Sequence, residues 1–453
     1  MSVCRLNALP VEDTRLEGCG RGRLAARRSG RFRTPMRRAS TWLAMAACLV
    51  LLSGCGNFGR LAADIRESNE RLRVVSGQID SSACKDCEVI VVVMGDDEGK
   101  EIHNYRVFER PGNFRLAALH DSRFLVAFQD LNRDFAYQPN EPAVWYDLSG
   151  TAIRRGDVQD LKLLLQGPAD KPLPAALENL FEVRGNSLGK IDVQLGKVVS
   201  LDDERFSRDS ATMSMWEPIG FMKAGRAGIF FLESYDPARI PVLFVHGING
   251  TGRNFASMID SLDRTRFQPW VLNYPSGMDL RALGDGLVGL LAELRHRYGF
   301  NTLHIVAHSM GGLMVREYLA ECVRTSGCDY AGNFISISSP YGGIDNMALW
   351  LDFARVVMPA WRNLVPDGPF LKDLFALPLP TGVRHTMFIS FRNTSRFSGD
   401  SSDGVIPVRS QFRLEAQRQA VAIRGFNEDH VSILDSKDVH DELNEALLAV
   451  AHR

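Results

Sequence analysis

The most constraining feature of the sequence is a stretch of twelve residues, 301–312, in the C-terminal half of the chain. An apolar run from Leu303 to Ala307 is followed at once by Ser309 and then by a segment with helical periodicity. The apolar residues on one face of that segment are Leu313, Met314, Tyr318, Leu319 and Cys322. We therefore predict a strand, a sharp turn that carries Ser309, and a helix.

The turn at Ser309 has the pattern of a nucleophile elbow, in which a strained backbone projects a serine hydroxyl above the edge of a sheet. Small residues must flank such a serine because the strand and the helix approach each other closely. Glycine usually stands two residues before the serine, whereas Ala307 stands here and adds one methyl group. The alternative is that Ser309 only caps the helix, since serine is favoured at that position.

Strands and helices alternate through the C-terminal half. The apolar run from Val242 to Val245 ends in His246-Gly247 and is typical of a strand that is buried on both faces of a parallel sheet. Further strands are predicted at 269–274, 303–307, 333–338, 385–391 and 420–424, with helices at 280–298 and 310–322. We therefore predict an open α/β sheet whose ligand site lies at the carboxyl ends of its strands.

A serine hydroxyl becomes a good nucleophile only when a histidine takes its proton and an acid orients that histidine. We choose Asp403 as the acid because it follows a predicted strand, and His430 as the base because it follows the last apolar strand. Asp400 is the rival acid, and either aspartate could be a turn residue. His440 and His452 are expected on the exposed face of the closing helix, and His308 is expected to serve packing.

The reaction also needs hydrogen-bond donors for a developing oxyanion. The backbone N–H of Met310, directly after Ser309, is one candidate, and the backbone N–H of Ile248 is the other. His246 and Gly247 would shape the loop that carries Ile248. His246 as the catalytic base is the alternative.

The order Ser309, Asp403, His430, with His246-Gly247 upstream, resembles the α/β-hydrolase superfamily and its lipase and esterase branch. The segments 307–312, 339–343 and 402–407 are similar to those of triacylglycerol-lipase and GPI-inositol-deacylase-like proteins, and the resemblance covers residues 238–450. It implies hydrolysis of carboxylic esters, such as lipid acyl esters, through an acyl-enzyme at Ser309 without a metal or organic cofactor. Two alternatives stay open: an acyltransferase in envelope lipid remodelling, and an inert envelope lipoprotein that binds a partner.

The N-terminal region has the pattern of a secretion signal. Residues 1–38 carry ten arginines, an apolar run follows at 39–52, and Ser53-Gly54-Cys55 ends it. This resembles a bacterial lipoprotein signal peptide in which the thiol of Cys55 is diacylated, with Met36 as a possible true start. Because Gly56 and not aspartate follows Cys55, we expect an outer-membrane anchor in the bacterial cell envelope. A short anchor that stays uncleaved is the alternative.

Export to an oxidising compartment changes how the other cysteines are interpreted. Cys84 with Cys87, and Cys322 with Cys328, are expected to form two disulfides. A redox or zinc role for the first pair is the alternative, but the pair precedes a strand, and no second ligand pair lies nearby.

Short strands separated by turn residues predict a small β-sandwich before the hydrolase region. Within it, a loop beginning at Asp130 places Asn132, Asp134 and Glu141 at the spacing of a calcium loop. Phe135 stands where that loop needs glycine, so calcium is a weak candidate and ordinary turn hydrogen bonding is the alternative. The expected divisions are a leader at 1–55, a tether at 56–80, a β-sandwich-like domain at 81–165, a linker at 166–235, and an α/β-hydrolase domain at 236–453 with a cap insertion near 344–385.

Composition adds one exclusion. The 453 residues are 45% hydrophobic and 24% charged, as in a globular protein, and the net charge is -1. The whole chain has no excess of basic residues, so its composition does not suggest a nucleic-acid partner.

The insertion near 344–385 contains an amphipathic apolar segment that would either cover the site or pack on the sheet. The sequence does not indicate an oligomeric state.

Overall fold

The N-terminal half of the described chain consists of one helix and seven strands. The computed structural model describes residues 56–148, 157–180, 193–325, 327–354, 356–392 and 401–449. Residues 56–71 form helix α1. The strands that follow it are β1 Leu72–Ser81, β2 Glu88–Met94, β3 Ile102–Phe108, β4 Asn113–Leu119, β5 Phe124–Asp130, β6 Ala143–Asp147 and β7 Val158–Leu165.

These strands form two sheets, in the orders β4-β1-β7 and β3-β2-β5-β6. All pairs are antiparallel except β1 with β7. Every residue of β2 is buried. Val89, Val91 and Val93 face the core shared by the two sheets. Alternate residues of β2, Ile90 and Val92, belong to a second cluster that includes Ala292. The alternation of a β-strand thus buries β2 on both faces.

The predicted tether at 56–80 is wrong for the described residues. Leu61 in α1 is fully buried, and the Asp64 carboxylate accepts hydrogen bonds from the backbone N–H groups of Ile219 (2.6 Å) and Gly220 (3.1 Å). Residues 72–80 lie within β1 and pair with two other strands. Although α1 is largely polar, Leu61 and Ile65 pack against the main apolar cluster, and the ring of Phe58 contacts that of Trp216.

An eight-stranded sheet organises the rest of the chain, in the order β15-β14-β13-β12-β10-β11-β9-β8. All neighbouring strands of this sheet are parallel except β9 and β11, which pair antiparallel. The strands are β8 Gln194–Val198, β9 Gly228–Phe231, β10 Ile240–Val245, β11 Phe267–Asn273, β12 Leu303–His308, β13 Ala331–Ile337, β14 Arg384–Ser390 and β15 Ala420–Phe426. The predicted linker at 166–235 is therefore wrong in part, because it contains β8 and β9.

Helices cover both faces of this sheet and form two separate apolar clusters there. They are α2 Arg208–Trp216, α3 Pro218–Lys223, α4 Ala256–Asp260, α5 Leu280–Tyr298, α6 Met310–Arg324, α7 Met347–Phe353, α8 Pro359–Arg362, α9 Pro369–Leu374, α10 Val408–Gln411, α11 Leu414–Gln419 and α12 Lys437–Leu448. Helix α5 begins at the N-cap Asp279 and ends at Gly299, which has a φ of 67°. Among the described residues, none of the helices has the length and apolarity that a bilayer crossing requires.

Helix α5 also joins the two halves of the structure. Arg106 in β3 donates to Asp285 in α5 over 2.7 Å, and His296 in α5 lies 2.9 Å from the carboxylate of Glu88 in β2. Both pairs are largely buried, so removing one partner would leave an uncompensated polar group. The predicted disulfides are present, as Cys84–Cys87 and Cys322–Cys328.

Buried histidines make the stability of this sheet depend on pH. Burial lowers the pKa of His385 in β14 to about 3 and the pKa of His304 in β12 to about 4. A histidine whose pKa is lower in the folded chain takes up its proton first in the unfolded chain. Its contribution to stability is therefore present above the unfolded pKa and is lost as the pH falls toward the folded pKa.

We predict that His385→Gln reduces this acid sensitivity. The amide retains a polar group near the Ser336 hydroxyl, which lies 2.8 Å from Nε2 of His385, but it cannot titrate. Between about pH 6.5 and about pH 4, the slope of unfolding free energy against pH should decrease by up to about 1.4 kcal/mol per pH unit. Urea denaturation at several pH values measures both slopes, and equal slopes would contradict the prediction.

Candidate active site

Ser309 lies in the sharp turn between β12 and α6, as the sequence predicts. Its φ of 54° and ψ of -129° are strained for a residue with a side chain. The backbone N–H of Ser309 donates to the carbonyl of Ile337 over 2.8 Å, which fixes the turn to β13. The Ser309 hydroxyl makes no capping hydrogen bond to α6. It is therefore available for another partner.

Three glycines allow the backbone to close around Ser309. A Cβ atom on Gly247 would lie 2.8 Å from the Cβ of Ser309, and one on Gly311 would lie 2.5 Å from the carbonyl oxygen of His246. A Cβ on Gly312 would overlap the side chain of Ser339. Ala307 is fully buried at the position where glycine is usual. Its single methyl group fits without disturbing the turn.

The hydroxyl of Ser309 meets the two partners predicted from sequence. Ser309 Oγ lies 3.0 Å from Nε2 of His430, and Nδ1 of His430 lies 2.8 Å from Oδ2 of Asp403. Because the carboxylate accepts from Nδ1–H, Nε2 is free to accept the serine proton. The three side chains thus form one chain of hydrogen bonds across three loops that follow β12, β14 and β15.

The carboxylate of Asp403 is held by further donors. Oδ1 accepts from the backbone N–H groups of Val405 (3.0 Å) and Ile406 (2.6 Å), and Oδ2 accepts from the Ser390 hydroxyl over 2.7 Å. Burial alone raises the pKa of Asp403. The hydrogen bond and charge of His430, with the Ile406 and Ser390 donors, outweigh burial and lower that pKa below its usual value. Asp403 is therefore an ionised carboxylate in a buried place.

Two residues that hold the Asp403 carboxylate, Ser390 and Gln411, were not predicted from the sequence. Gln411 Nε2 donates to Asp403 Oδ2 over 3.2 Å and to the Ser390 carbonyl over 2.9 Å. Ser390 ends β14, so its place at a carboxyl strand end was a usable signal. Gln411 lies in the short helix α10, and its sequence context carries no sign that it is buried.

The interpretation of His308 as simple packing is incomplete. Nε2 of His308 lies 2.8 Å from the backbone carbonyl of His430, and the two imidazole rings are 4.7 Å apart. Burial, followed by the proximity of His430, lowers the pKa of His308 to about 3. A neutral His308 therefore donates Nε2–H to that carbonyl and supports the His430 backbone.

The backbone N–H groups of Ile248 and Met310 are the predicted oxyanion donors. Among the described residues, no group accepts a hydrogen bond from the backbone N–H of Ile248 or Met310. His246 does not bond to Ser309: its Nδ1 contacts the Gly247 carbonyl over 2.8 Å, and its ring stacks on Tyr274 at 4.3 Å. Burial lowers the pKa of His246 to about 4. Its contacts fit a loop-shaping residue and place it apart from the serine hydroxyl.

Other predicted residues take different positions. His440 lies on α12 but is buried, in contrast to the exposed position expected, and its Nε2 contacts the Leu434 carbonyl over 2.8 Å. Asp400, His452 and Cys55 lie outside the described residues.

The loop considered for calcium uses its oxygen atoms internally. The carboxylate of Asp130 accepts from the backbone N–H groups of Asp134 and Phe135, and that of Glu141 accepts from Leu131 and Gln138. Asn132 donates to the Asp134 carboxylate over 2.8 Å. The structure thus has the turn hydrogen bonds that were the alternative to calcium.

One group of potential metal ligands joins distant parts of the chain. Glu88, Asp130 and His296 each place one ligand atom within 4.8 Å of the others. The hydrogen bond between His296 and Glu88 already pairs two of these groups. The three residues belong to β2, β5 and α5, so their sequence spacing gives no sign of this arrangement.

The insertion near 344–385 both packs on the sheet and faces solvent. Phe370 and Leu374 in α9 are buried in the main apolar cluster. In α7, Leu349 is 53% exposed and Trp350 is 64% exposed. Large apolar residues with this exposure are candidates for contact with an apolar ligand or surface.

Comparison with known proteins supports the fold. Residues 240–365 match a family described as alpha/beta hydrolase fold. With the order of the large sheet and the turn at Ser309, this match defines an α/β-hydrolase fold that follows the two smaller sheets. The predicted fold class is confirmed. No curated protein matches the chain.

Several solved structures are similar to part of the chain. A lipase of Bacillus licheniformis in mature form is 20% identical, covers 48% of this chain and 95% of its own, and has a TM-score of 0.39. A metagenomic carboxyl esterase is 14% identical, covers 47% of this chain and 75% of its own, and has a TM-score of 0.35. Lipase B of Aspergillus fumigatus is 17% identical, covers 44% of this chain and 47% of its own, and has a TM-score of 0.33. Similarity at this level concerns the fold only.

We predict that Gly312→Ala destabilises the protein although alanine is the better helix former. The added methyl group would collide with Ser339, and overpacking of this kind costs about 1–3 kcal/mol. Urea denaturation of the single variants Gly312→Ala and Ser339→Gly and of their double variant measures the coupling. The double variant should be more stable than the sum of the single effects predicts, and simple additivity would contradict the assigned contact.

Proposed function

We propose that the protein is a serine hydrolase that cleaves carboxylic esters through an acyl-enzyme at Ser309. The observation that carries this proposal is the continuous hydrogen-bonded chain from Ser309 Oγ through His430 to Asp403. A helix cap has no need of these partners, whereas acyl transfer to serine needs both of them.

The first half of the reaction forms the acyl-enzyme. Nε2 of His430 takes the proton of Ser309 as Oγ attacks the ester carbonyl carbon. The carbonyl oxygen becomes an oxyanion, which the backbone N–H groups of Ile248 and Met310 stabilise. When the tetrahedral intermediate collapses, the carbon–oxygen bond to the alcohol breaks, and His430 gives its proton to that alcohol.

The second half of the reaction releases the acid. A water molecule attacks the acyl carbon, His430 takes a proton from the water, and the Ser309 oxygen leaves with the proton that His430 returns. Asp403 stays ionised throughout and stabilises the imidazolium that forms twice in the cycle. No step requires a metal or an organic cofactor.

We further propose that the substrates are acyl esters of lipid-like alcohols. Val405 and Val431, which neighbour Asp403 and His430 in sequence, are 58% and 59% exposed. Exposed apolar residues at the rim of a site favour an apolar substrate over a charged one. An acyltransferase would use the same acyl-enzyme with an alcohol or amine in place of water, and product analysis separates the two reactions.

We predict that Ser309→Ala abolishes hydrolysis of short p-nitrophenyl esters and labelling by a fluorophosphonate probe. Because the nucleophile is removed, kcat/KM should fall by at least about 10⁴-fold. Ser261→Ala is the matched control, because Ser261 directly follows α4 and donates to the Met258 carbonyl, outside the site. It should retain full activity. Activity of Ser309→Ala close to that of the unaltered protein would reject the proposed nucleophile.

We also propose that the enzyme is anchored to the bacterial outer membrane through lipid on Cys55. The arginine-rich start, the apolar run and the sequence Leu52-Ser53-Gly54-Cys55 support this proposal. An anchored hydrolase would meet its lipid substrate at the membrane surface.

Replacement of Cys55 tests the anchor. In bacterial cells supplied with labelled palmitate, Cys55→Ala should lose the label and globomycin-sensitive processing, because no thiol remains for acylation. Cys48→Ala, which changes a cysteine within the apolar run, should keep both. An unlabelled wild-type chain would reject lipidation.

A further inference from the structure

A cavity lies between the small sheets and helix α5, and Ser309 is not among its lining residues. Its volume is about 320 Å³, within the range of small-molecule sites. Most of its walls are apolar. The lining residues include Val74 in β1, Leu116 in β4, Leu283, Gly286 and Leu290 in α5, and Met314 in α6. Because Ser309 does not line it, this cavity is distinct from the site of the hydrolytic reaction.

One cationic side chain in the cavity wall has spare hydrogen-bond donors. Arg106 is 6% exposed and uses Nη1 for the carboxylate of Asp285 (2.7 Å) and the carbonyl of Arg115 (2.9 Å). Among the described residues, none accepts from its Nε or Nη2. Both nitrogens are buried, and the guanidinium carbon lies 4.9 Å from the centre of the Phe108 ring. A ligand oxygen that reached these nitrogens would satisfy donors that otherwise stay unpaired.

The packing of α5 leaves room for Arg106 to lie along it. A Cβ on Gly289 would come within 3.2 Å of the Arg106 side chain, whereas a Cβ on Gly286 would meet open space. The first glycine thus accommodates the arginine, and the second is exposed and lies where the cavity opens to solvent. Glycine lowers the stability of a helix interior, so the open space at Gly286 is not explained by helix formation.

We propose that this cavity binds a single acyl chain, with Arg106 donating hydrogen bonds to its carboxylate or ester carbonyl oxygen. The apolar walls match the hydrocarbon chain, and Arg106 is the donor at its polar end. Because Asp285 already balances the charge of Arg106 and Glu293 also lines the cavity, a neutral ester should bind more tightly than the carboxylate of a free fatty acid. Their relative affinity identifies the natural form.

The cavity also adjoins the loop that shapes the oxyanion hole. Tyr274 lines the cavity, donates its hydroxyl to the carbonyl of His246 over 2.7 Å, and stacks on the His246 ring. Ser276, two residues on, accepts from the backbone N–H of Asn249 over 3.1 Å. An acyl chain in the cavity would therefore restrict the segment that supports Ile248.

Ligand binding to the full chain carrying Ser309→Ala tests the proposal without dependence on esterase activity. Dodecanoic acid and its monoacylglycerol, each below its micellar concentration, serve as probes in isothermal titration. We expect one molecule to bind in this cavity per chain, and the variants below distinguish it from any molecule that binds beside Ser309. Gly286→Leu should fill the cavity and weaken binding by about tenfold or more, and Gly286→Ala should have a smaller effect.

Arg106→Lys tests the polar contact separately. Lysine keeps the positive charge for Asp285 but lacks the paired Nε and Nη2 donors, so binding should weaken by about tenfold. Since the Cβ at position 286 meets open space, thermal unfolding of Gly286→Leu without ligand should occur no lower than that of the parent. A photoreactive dodecanoic acid should label residues of α5, and Gly286→Leu should reduce that label.

Two results would overturn the proposal. One is the absence of saturable binding by either probe. The other is binding that Gly286→Leu and Arg106→Lys both leave unchanged, which would place the acyl chain elsewhere, such as beside Ser309. If the unaltered protein hydrolysed no esters, the proposed function would be rejected, but the binding of an acyl chain in this cavity would still stand.

Discussion

The close approach of three backbone segments around Ser309 is the constraint on which the rest of the site depends. The loop after β10, the turn after β12 and the start of α6 come so near that Gly247 and Gly311 have no space for a methyl group. This packing holds Ser309 at a positive φ, which a serine would not adopt alone. The strain is sustained by the surrounding sheet, in which β12 is buried along its whole length and β10 is buried at every residue after Ile240.

The polar part of the site is organised by the same means. Five donors surround the carboxylate of Asp403, and three of them come from outside its own loop: Ser390, Gln411 and His430. A buried charge is stable only when such donors replace water. The donors also fix the carboxylate in place, so His430 is oriented before any substrate arrives.

The sequence predicted the parts of the site that follow buried strands. Ser309, Asp403 and His430 each come after an apolar run, and such runs are readable because both faces of a parallel strand are covered. Residues that act through long-range contacts were missed. Gln411 is polar in a short helix, and His308 gave no sign that it would contact the His430 carbonyl. The edge strand β8 and its neighbour β9 were also missed, since β8 contains Gly196 and Lys197 and β9 has four residues. The buried face of α1 was missed because its apolar contacts, from Phe58, Leu61 and Ile65, are scattered through a polar segment.

Helix α5 connects the smaller sheets with the hydrolytic site. One face of α5 packs on the large sheet through Leu287 and Leu291, and another meets β2 and β3 through His296 and Asp285. The polar contacts hold the two halves together, while Gly286 leaves space between them. Tyr274 borders that space, stacks on the ring of His246 and donates a hydrogen bond to the His246 carbonyl, so a ligand there would contact a residue that supports the loop of Ile248. The smaller sheets therefore form part of the wall behind the reaction site.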